Sequence, residues 1–365
     1  LSDNRYMALA LSLGRRGQGQ CWPNPAVGCV IVKDGRVVGR GWTQPGGRPH
    51  AEPVALAQAG EAARGATAYV TLEPCAHHGQ TPPCADALIA AKVARVVVAV
   101  EDSDARVSGR GLTMLRDAGI AVETGVLADE AARDLQGFFL KTDLGRPFLT
   151  LKLASTLDGR IATATGESRW ITGAPARREV HAMRMRHDAV MVGGGTARVD
   201  DPSLTVRDMG VHRQPVRVVV SRRLDLPLMS TLARTAKDVP LWIAHGADAD
   251  PTLQKTWQDL GAELLSCDLE RAQLSPASVL TALAAKGLTR VFCEGGGSLA
   301  ASLLAADLVD ELITFNAGMV MGAEGHPAIG AMGIERLAEA PRFDLVSQRP
   351  VGQDVMSVWH RMEPH

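Results

Sequence analysis

The sequence predicts an α/β protein built as two domains, and three observations carry that prediction. Short runs rich in Val, Ile and Leu alternate with helix-length stretches, as in "RVVVAV" and "VRVVVS". The alternation stops at the polar, Gly- and Pro-containing "KTDLGRPF" (141–148) and then begins again. With 365 residues, the chain is long enough for two cores of roughly 150 residues each. The expected domains are 1–145 and 146–365.

In chain order, "SDNRYMALALSLG" reads as an amphipathic first helix. "AVGCVIVKDGRVVGRGW" is two apolar runs around Asp-Gly, the signal of a hairpin. A helical stretch follows Glu52, then the strand "ATAYVTL", a loop, and a helix from about Cys84 to Lys92. The strand "RVVVAV", a helix near 109–118, the strand "IAVETGV" and a helix near 128–141 complete the first series. One hairpin followed by alternating strands and helices implies a sheet covered on both faces. The second series runs through "FLTLKLA", "DAVMVGGG", "VRVVVS", "PLWIAHG", "TRVFCEGGG" and "ELITFNAG", and a strand-rich tail closes the chain.

Bulk composition narrows the function. Lys+Arg 39 against Asp+Glu 40 gives a net charge of −1, so no overall basic field draws the chain to nucleic acid. No uncharged apolar run is long enough to span a bilayer, and the first residues lack a signal-peptide layout, so a cytoplasmic protein without membrane partners is expected. The six cysteines do not form a disulfide framework in a chain of this length. Cys29 and Cys293 lie in apolar runs, whereas Cys75 and Cys84 flank a polar, Pro-rich loop, where thiols are reactive or metal-bound.

"TLEPCAHHGQTPPC" leaves the end of a strand, and "PHAEP" begins a helix with His50 and Glu52. One imidazole and two thiolates (His50, Cys75, Cys84) make a three-ligand zinc site whose fourth position stays open to water. Zinc lowers the pKa of such a water to about 7, and a carboxylate beside it, Glu52, can carry the proton. His-x-Glu followed by Pro-Cys is the signature of zinc-dependent deaminases. A structural zinc would need a fourth ligand, which His77 or His78 could supply.

The motifs "PNPAVGCVIV", "HAE" and "TLEPCAHHGQTPPC" resemble the deaminase half of the bifunctional riboflavin-biosynthesis deaminase/reductase family. "RPFLTLKLASTLDGRIA", "VGGGTARVDDPSLTVR" and "EGGGSLAASLL" resemble its reductase half, in family order. The resemblance implies a cytidine-deaminase-like three-layer domain followed by a dihydrofolate-reductase-like α/β domain. It assigns zinc to His50, Cys75 and Cys84, the proton donor to Glu52, and the pyrimidine to Asn24. Gln80 stands where the family commonly has a basic residue.

In the second half, two glycine-rich segments end separate strands, "MVGGGTARVDDP" as a loop and "FCEGGGSLAASLLAA" as a turn before a helix. Glycine N–H groups at a helix start can cradle a pyrophosphate. The resemblance assigns NADPH to Ala154, Trp170, Thr196 and Asp200, with its phosphates along Gly296, Gly297, Ser298, Leu299, Ala300, Ala301 and Ser302. It places substrate at Ser168, Leu204 and Glu294. Arg184 and Arg207 are candidates for the substrate phosphate, since a guanidinium matches phosphate geometry. Asp200 or Lys152 would manage the proton of the reduction, and either Ser221 or Arg222 would meet the cofactor.

The expected function is hydrolytic deamination of a phosphorylated diaminopyrimidine, then NADPH-dependent reduction of its ribosyl group, in a homo-oligomer as is typical of the family. The alternative is a nucleic-acid (tRNA) base deaminase with an accessory nucleotide-binding domain. It requires a basic, aromatic-bearing groove, and 4% aromatic residues with balanced charge argue against one.

Overall fold

The computed structural model describes residues 2–76, 82–103, 108–211 and 213–362. The chain forms two compact units, Leu1–Gly145 and Arg146–His365.

The first unit begins with α1 (Ser2–Gly14) and the hairpin β1 (Gly28–Lys33) and β2 (Arg36–Trp42). Asp34 and Gly35 both adopt positive φ, the backbone that an Asp-Gly hairpin turn requires. There follow α2 (Ala51–Ala59), β3 (Thr67–Leu72), α3 (Cys84–Ala90), β4 (Arg95–Val100), α4 (Arg110–Asp117), β5 (Ala121–Thr124) and α5 (Ala128–Leu144). The sheet order is β2-β1-β3-β4-β5; β1 runs antiparallel to its neighbours and β3, β4 and β5 run parallel. Alternation along β1 divides the core. Cys29 and Ile31 join Ala55, Leu88 and Leu112 on one face, while Val30 and Val32 meet Met7, Leu11 and Ala131 on the other. Helices therefore cover both faces, giving three layers.

One expectation was too short. The last helix of this unit runs through 141–144, the start of the polar segment, and ends on Gly145 in the left-handed conformation. Local polarity marked the boundary but did not stop a helix already supported by Leu135 and Phe138 in the core.

The second unit contains β6 (Phe148–Thr156), β7 (Arg160–Ala162), α6 (Ala174–Met185), β8 (Ala189–Gly193), α7 (Gly194–Asp200), β9 (Val216–Val220) and α8 (Thr231–Arg234). It continues through β10 (Leu241–Gly246), α9 (Pro251–Asp259), β11 (Glu263–Cys267), β12 (Leu269–Glu270), β13 (Gln273–Leu274), α10 (Pro276–Ala285), β14 (Arg290–Cys293) and α11 (Gly297–Ala305). Last come β15 (Glu311–Ala317), β16 (His326–Pro327), β17 (Phe343–Val351) and β18 (Asp354–Arg361). A nine-stranded sheet has the order β11-β10-β9-β8-β14-β6-β15-β18-β17. It is parallel from β11 to β15, and the β17–β18 hairpin adds an antiparallel edge. A buried bidentate pair, Arg146 with Asp310 at 2.7 and 2.8 Å, ties the entry of β6 to that of β15.

The segment expected as a glycine loop after β8 is a helix. Gly193, in extended conformation, caps α7, and Gly194 and Gly195 form its first turn. Three glycines suggested an open loop, but extended backbone at Gly193 turns the chain directly into a helix whose Ala197 packs in the core.

Where α2 crosses β2, contact is backbone to backbone. A Cβ on Gly41 would stand 2.1 Å from the Ala51 carbonyl oxygen. The start of α2, and with it His50 and Glu52, is seated by that missing side chain. Gly41→Ala should cost about 1–3 kcal/mol of stability through overpacking, read as a lower Tm together with reduced zinc content. An unchanged Tm would show that α2 can move without cost.

Candidate active sites

In the first unit, three elements bring their ends to one place. His50 caps α2 with extended backbone and makes no side-chain cap, which leaves its imidazole free for other contacts. Cys84 opens α3, and Cys75 lies just beyond the end of β3. His50 Nδ1 is 3.3 Å from Cys84 Sγ and 3.8 Å from Cys75 Sγ, and the three donor atoms lie within 4.8 Å of one another. Bond lengths near 2.0 Å to nitrogen and 2.3 Å to sulfur imply tetrahedral N···S edges of about 3.5 Å. The donor set and its spacing therefore fit zinc. His77, His78 and Gln80 lie outside the described residues.

The backbone N–H of Cys84 donates to Cys75 Sγ at 3.3 Å. Hydrogen bonding, first from the Cys84 thiol, pulls the Cys75 thiol down to about 4, so one thiolate is favoured before any metal arrives. Glu52 is 3% exposed in the first turn of α2. Burial, reinforced by the negative Cys75 sulfur, pushes its carboxyl up to about 7. That value suits a group that both takes and gives a proton near neutral pH. Asn24 Nδ2 donates to the Gly47 carbonyl at 2.7 Å and lies 3.4 Å from His50 Nε2.

Sequence reasoning passed over Glu73. Its buried carboxylate accepts backbone N–H groups from Asp102 (3.3 Å), Gly109 (3.0 Å) and Gly111 (2.9 Å). It thereby ties the start of α4 to the strand end that carries Cys75. Its position inside "TLEPC" was the available signal.

In the second unit, β8 and β14 are parallel neighbours. The chain leaves β8 through α7 toward β9 on one side, and leaves β14 through α11 toward β15 on the other. Connections that diverge from adjacent parallel strands open a crevice at their carboxyl ends, where open α/β sheets bind ligands. A cleft of about 1350 Å³ lies there. It is lined by Ala154, Ser168, Thr196, Asp200, Glu294, Gly296, Gly297, Ser298, Leu299, Ala301 and Ser302, and also by Lys152, Ser221 and Arg222. Gly296 has φ +98°, and a Cβ there would stand 2.9 Å from Thr196 Oγ1, so glycine keeps the two turns in contact.

Other expected residues lie differently. Arg184 is not a free cation: it is nine-tenths buried and holds Glu294 through Nε–Oε1 (2.5 Å) and Nη2–Oε2 (2.9 Å), with Nη1 on the Thr205 carbonyl. Burial alone would raise Glu294, but the Arg184 charge and its hydrogen bonds outweigh that and hold the carboxyl below its usual range. Arg207 is exposed, and its backbone N–H reaches His181. The Leu204 and Ala300 side chains are buried, leaving only their backbones for a ligand. Trp170 is 66% exposed, with the Arg177 guanidinium 4.4 Å from its ring centroid. Burial lowers the Lys152 ammonium, and it lines the cleft one strand from Glu294.

No helix among the described residues is long and apolar enough to cross a membrane. Residues 1–100 match the cytidine and deoxycytidylate deaminase zinc-binding region, and residues 147–357 match the RibD C-terminal domain. The riboflavin biosynthesis protein RibD of Escherichia coli (strain K12) is 41% identical over 97% of this chain and 98% of its own length. That of Aquifex aeolicus (strain VF5) is 40% identical over 98% of both chains. Among solved structures, Acinetobacter baumannii RibD aligns with TM-score 0.88 at 39% identity, covering 99% of both chains. A Thermotoga maritima diaminohydroxyphosphoribosylaminopyrimidine deaminase/5-amino-6-(5-phosphoribosylamino)uracil reductase aligns with TM-score 0.86 at 33% identity, again over 99% of both. With a His/Cys/Cys zinc site at one set of strand ends and a glycine-lined cleft at another, this chain belongs to the riboflavin biosynthesis protein RibD family of bifunctional deaminase/reductases.

Proposed function

We propose that residues 1–145 remove the 2-amino group of 2,5-diamino-6-(5-phosphoribosylamino)pyrimidin-4-one as ammonia. Residues 146–365 then reduce the ribosyl side chain of the product to ribityl with NADPH. The observation that carries the first step is the gathering of His50, Cys75 and Cys84 beside a buried Glu52. Zinc held by these three would supply a Lewis acid that acidifies a water. Glu52, buried beside the three donors, would hold a proton taken from water, pass it to the ring nitrogen and deliver a second proton to the departing ammonia. Asn24, anchored on Gly47, orients the pyrimidine.

For the second step NADPH, bound in the cleft, would supply a hydride for C1′ of the opened sugar. The Gly296–Ser302 backbone at the start of α11 holds the pyrophosphate, with Thr196, Ala154, Asp200 and Trp170 along the dinucleotide. Ser168, Glu294, the Leu204 backbone and Arg207 hold the substrate, and Arg184 orients Glu294. Lys152, lowered by burial and open to the cleft, gives the proton that accompanies the hydride; Asp200 is the second candidate. The enzyme works in the cytoplasm as a homo-oligomer. The outer strand β17 supports the oligomer, because it leaves Leu345 and Val346 more than half exposed on an unpaired sheet edge.

Three outcomes test this reading. Glu52→Gln should keep stoichiometric zinc while ammonia release falls at least about a hundredfold; retention of more than a tenth of the rate would remove Glu52 from proton transfer. Gly296→Ala, strained at positive φ and pressed on Thr196, should raise the KM for NADPH roughly tenfold and leave ammonia release intact. An unchanged KM would place the pyrophosphate elsewhere. Light scattering of the full chain should read an oligomer that Val346→Lys dissociates, and a monomeric wild type would refute the assembly.

A further inference from the structure

At the far end of the reductase cleft, "SRRL" leaves the carboxyl end of β9, one strand from the β8 glycine turn. Ser221 is buried, and its hydroxyl donates to Asp225 at 3.2 Å. Arg222 is fully engaged. Its Nη2 binds Asp248 Oδ2 and its Nη1 donates to the Ala272 carbonyl, both at 2.5 Å. That second bond fastens the β12–β13 turn, and so Arg271, beside the end of β9. Four arginines line the cleft: Arg198, Arg222, Arg223 and Arg271. Asp225 pairs with Arg198 at 3.1 Å and Asp248 with Arg222. Asp248 lies within electrostatic reach of Arg223 but is already bound by Arg222. Arg223 and Arg271, both exposed, have no ion-paired carboxylate among the described residues.

We propose that Arg223 and Arg271 form a clamp for a phosphate monoester, the 2′-phosphate of NADPH, with Arg222 as the strut that holds the clamp's two halves together. This rests on the reading of the cleft as a dinucleotide site. A pyrophosphate on the β8 and β14 turns, with the reacting ring toward Lys152 and Glu294, sends the adenosine the opposite way, over β9. Adjacent strands stand about 4.8 Å apart, so the adenosine ribose falls at the end of β9. A monoester carries a charge of about −1.5 to −2 near neutral pH. The two guanidiniums, neither of them ion-paired among the described residues, match it, and guanidiniums bind such oxygens in paired hydrogen bonds. NADH, which lacks that phosphate, would leave both arginines solvated.

The test is equilibrium binding of NADPH and of NADH to the full-length protein, wild type against Arg223→Ala and Arg271→Ala, with the KM for the pyrimidine substrate measured alongside. Both positions are exposed, and thermal unfolding confirms that each variant is folded. Each substitution should weaken NADPH about 10- to 100-fold and change NADH less than about threefold. Equal weakening of both dinucleotides, or of neither, overturns the clamp. A raised substrate KM with unchanged NADPH binding also overturns it and assigns the arginines to the substrate's phosphate. A wild type that binds neither dinucleotide sinks the cofactor reading itself and the clamp with it.

Discussion

Parallel strands must all return to the same end of the sheet, and this one constraint decides where both sites lie. Each return path leaves a strand-to-helix turn at the carboxyl edge, where helix starts offer unpaired N–H groups. In the first unit that edge receives Cys75 from the end of β3 and Cys84 from the start of α3. In the second it receives the turns after β8 and β14. The antiparallel hairpins β1–β2 and β17–β18 do not share in this, and among the described residues none of the metal donors or cleft glycines lies on them.

Backbone proximity then converts a shared edge into a site. Three donors can meet only if α2 sits low enough on β2 for His50 to reach the loop after β3, and Gly41 permits that approach. In the second unit Gly296 does the equivalent for Thr196. Gly41 meets no ligand in the proposed chemistry, and Gly296, whose backbone is proposed to meet the pyrophosphate, brings no side chain to it. Each sets a distance that side chains elsewhere depend on.

The zinc donors were legible from the sequence because their residue types are rare at helix starts and strand ends, where Ser, Asp or Gly would otherwise serve. The order of strands and helices was legible for a similar reason, since buried parallel strands are continuous apolar runs. The partnership of Arg184 with Glu294 was not, because 110 residues separate them and only the sheet order brings α6 to the end of β14. The helix after β8 was hidden by the run Gly193–Gly195, and the helix-weakening tendency of the two glycines inside it loses to packing by Ala197. Glu73 was hidden in plain view, since a carboxylate that satisfies three backbone N–H groups has the same letter as one that moves protons.

Glu52 and Glu294 share a residue type and differ in charge state. Both are glutamates at the floor of a site, and burial pushes both toward the neutral form. Glu52 faces a negative sulfur and rises to about 7, so it exchanges protons readily. Glu294 faces a bidentate guanidinium and falls below its usual range, so it stays charged. A carboxylate fixed as an anion is a poor proton carrier but a firm acceptor for sugar hydroxyls. Two environments thus divide one residue type into two roles. In the proposed reduction the proton then comes from another group, for which Lys152, one strand away and with its ammonium destabilised by burial, is the candidate.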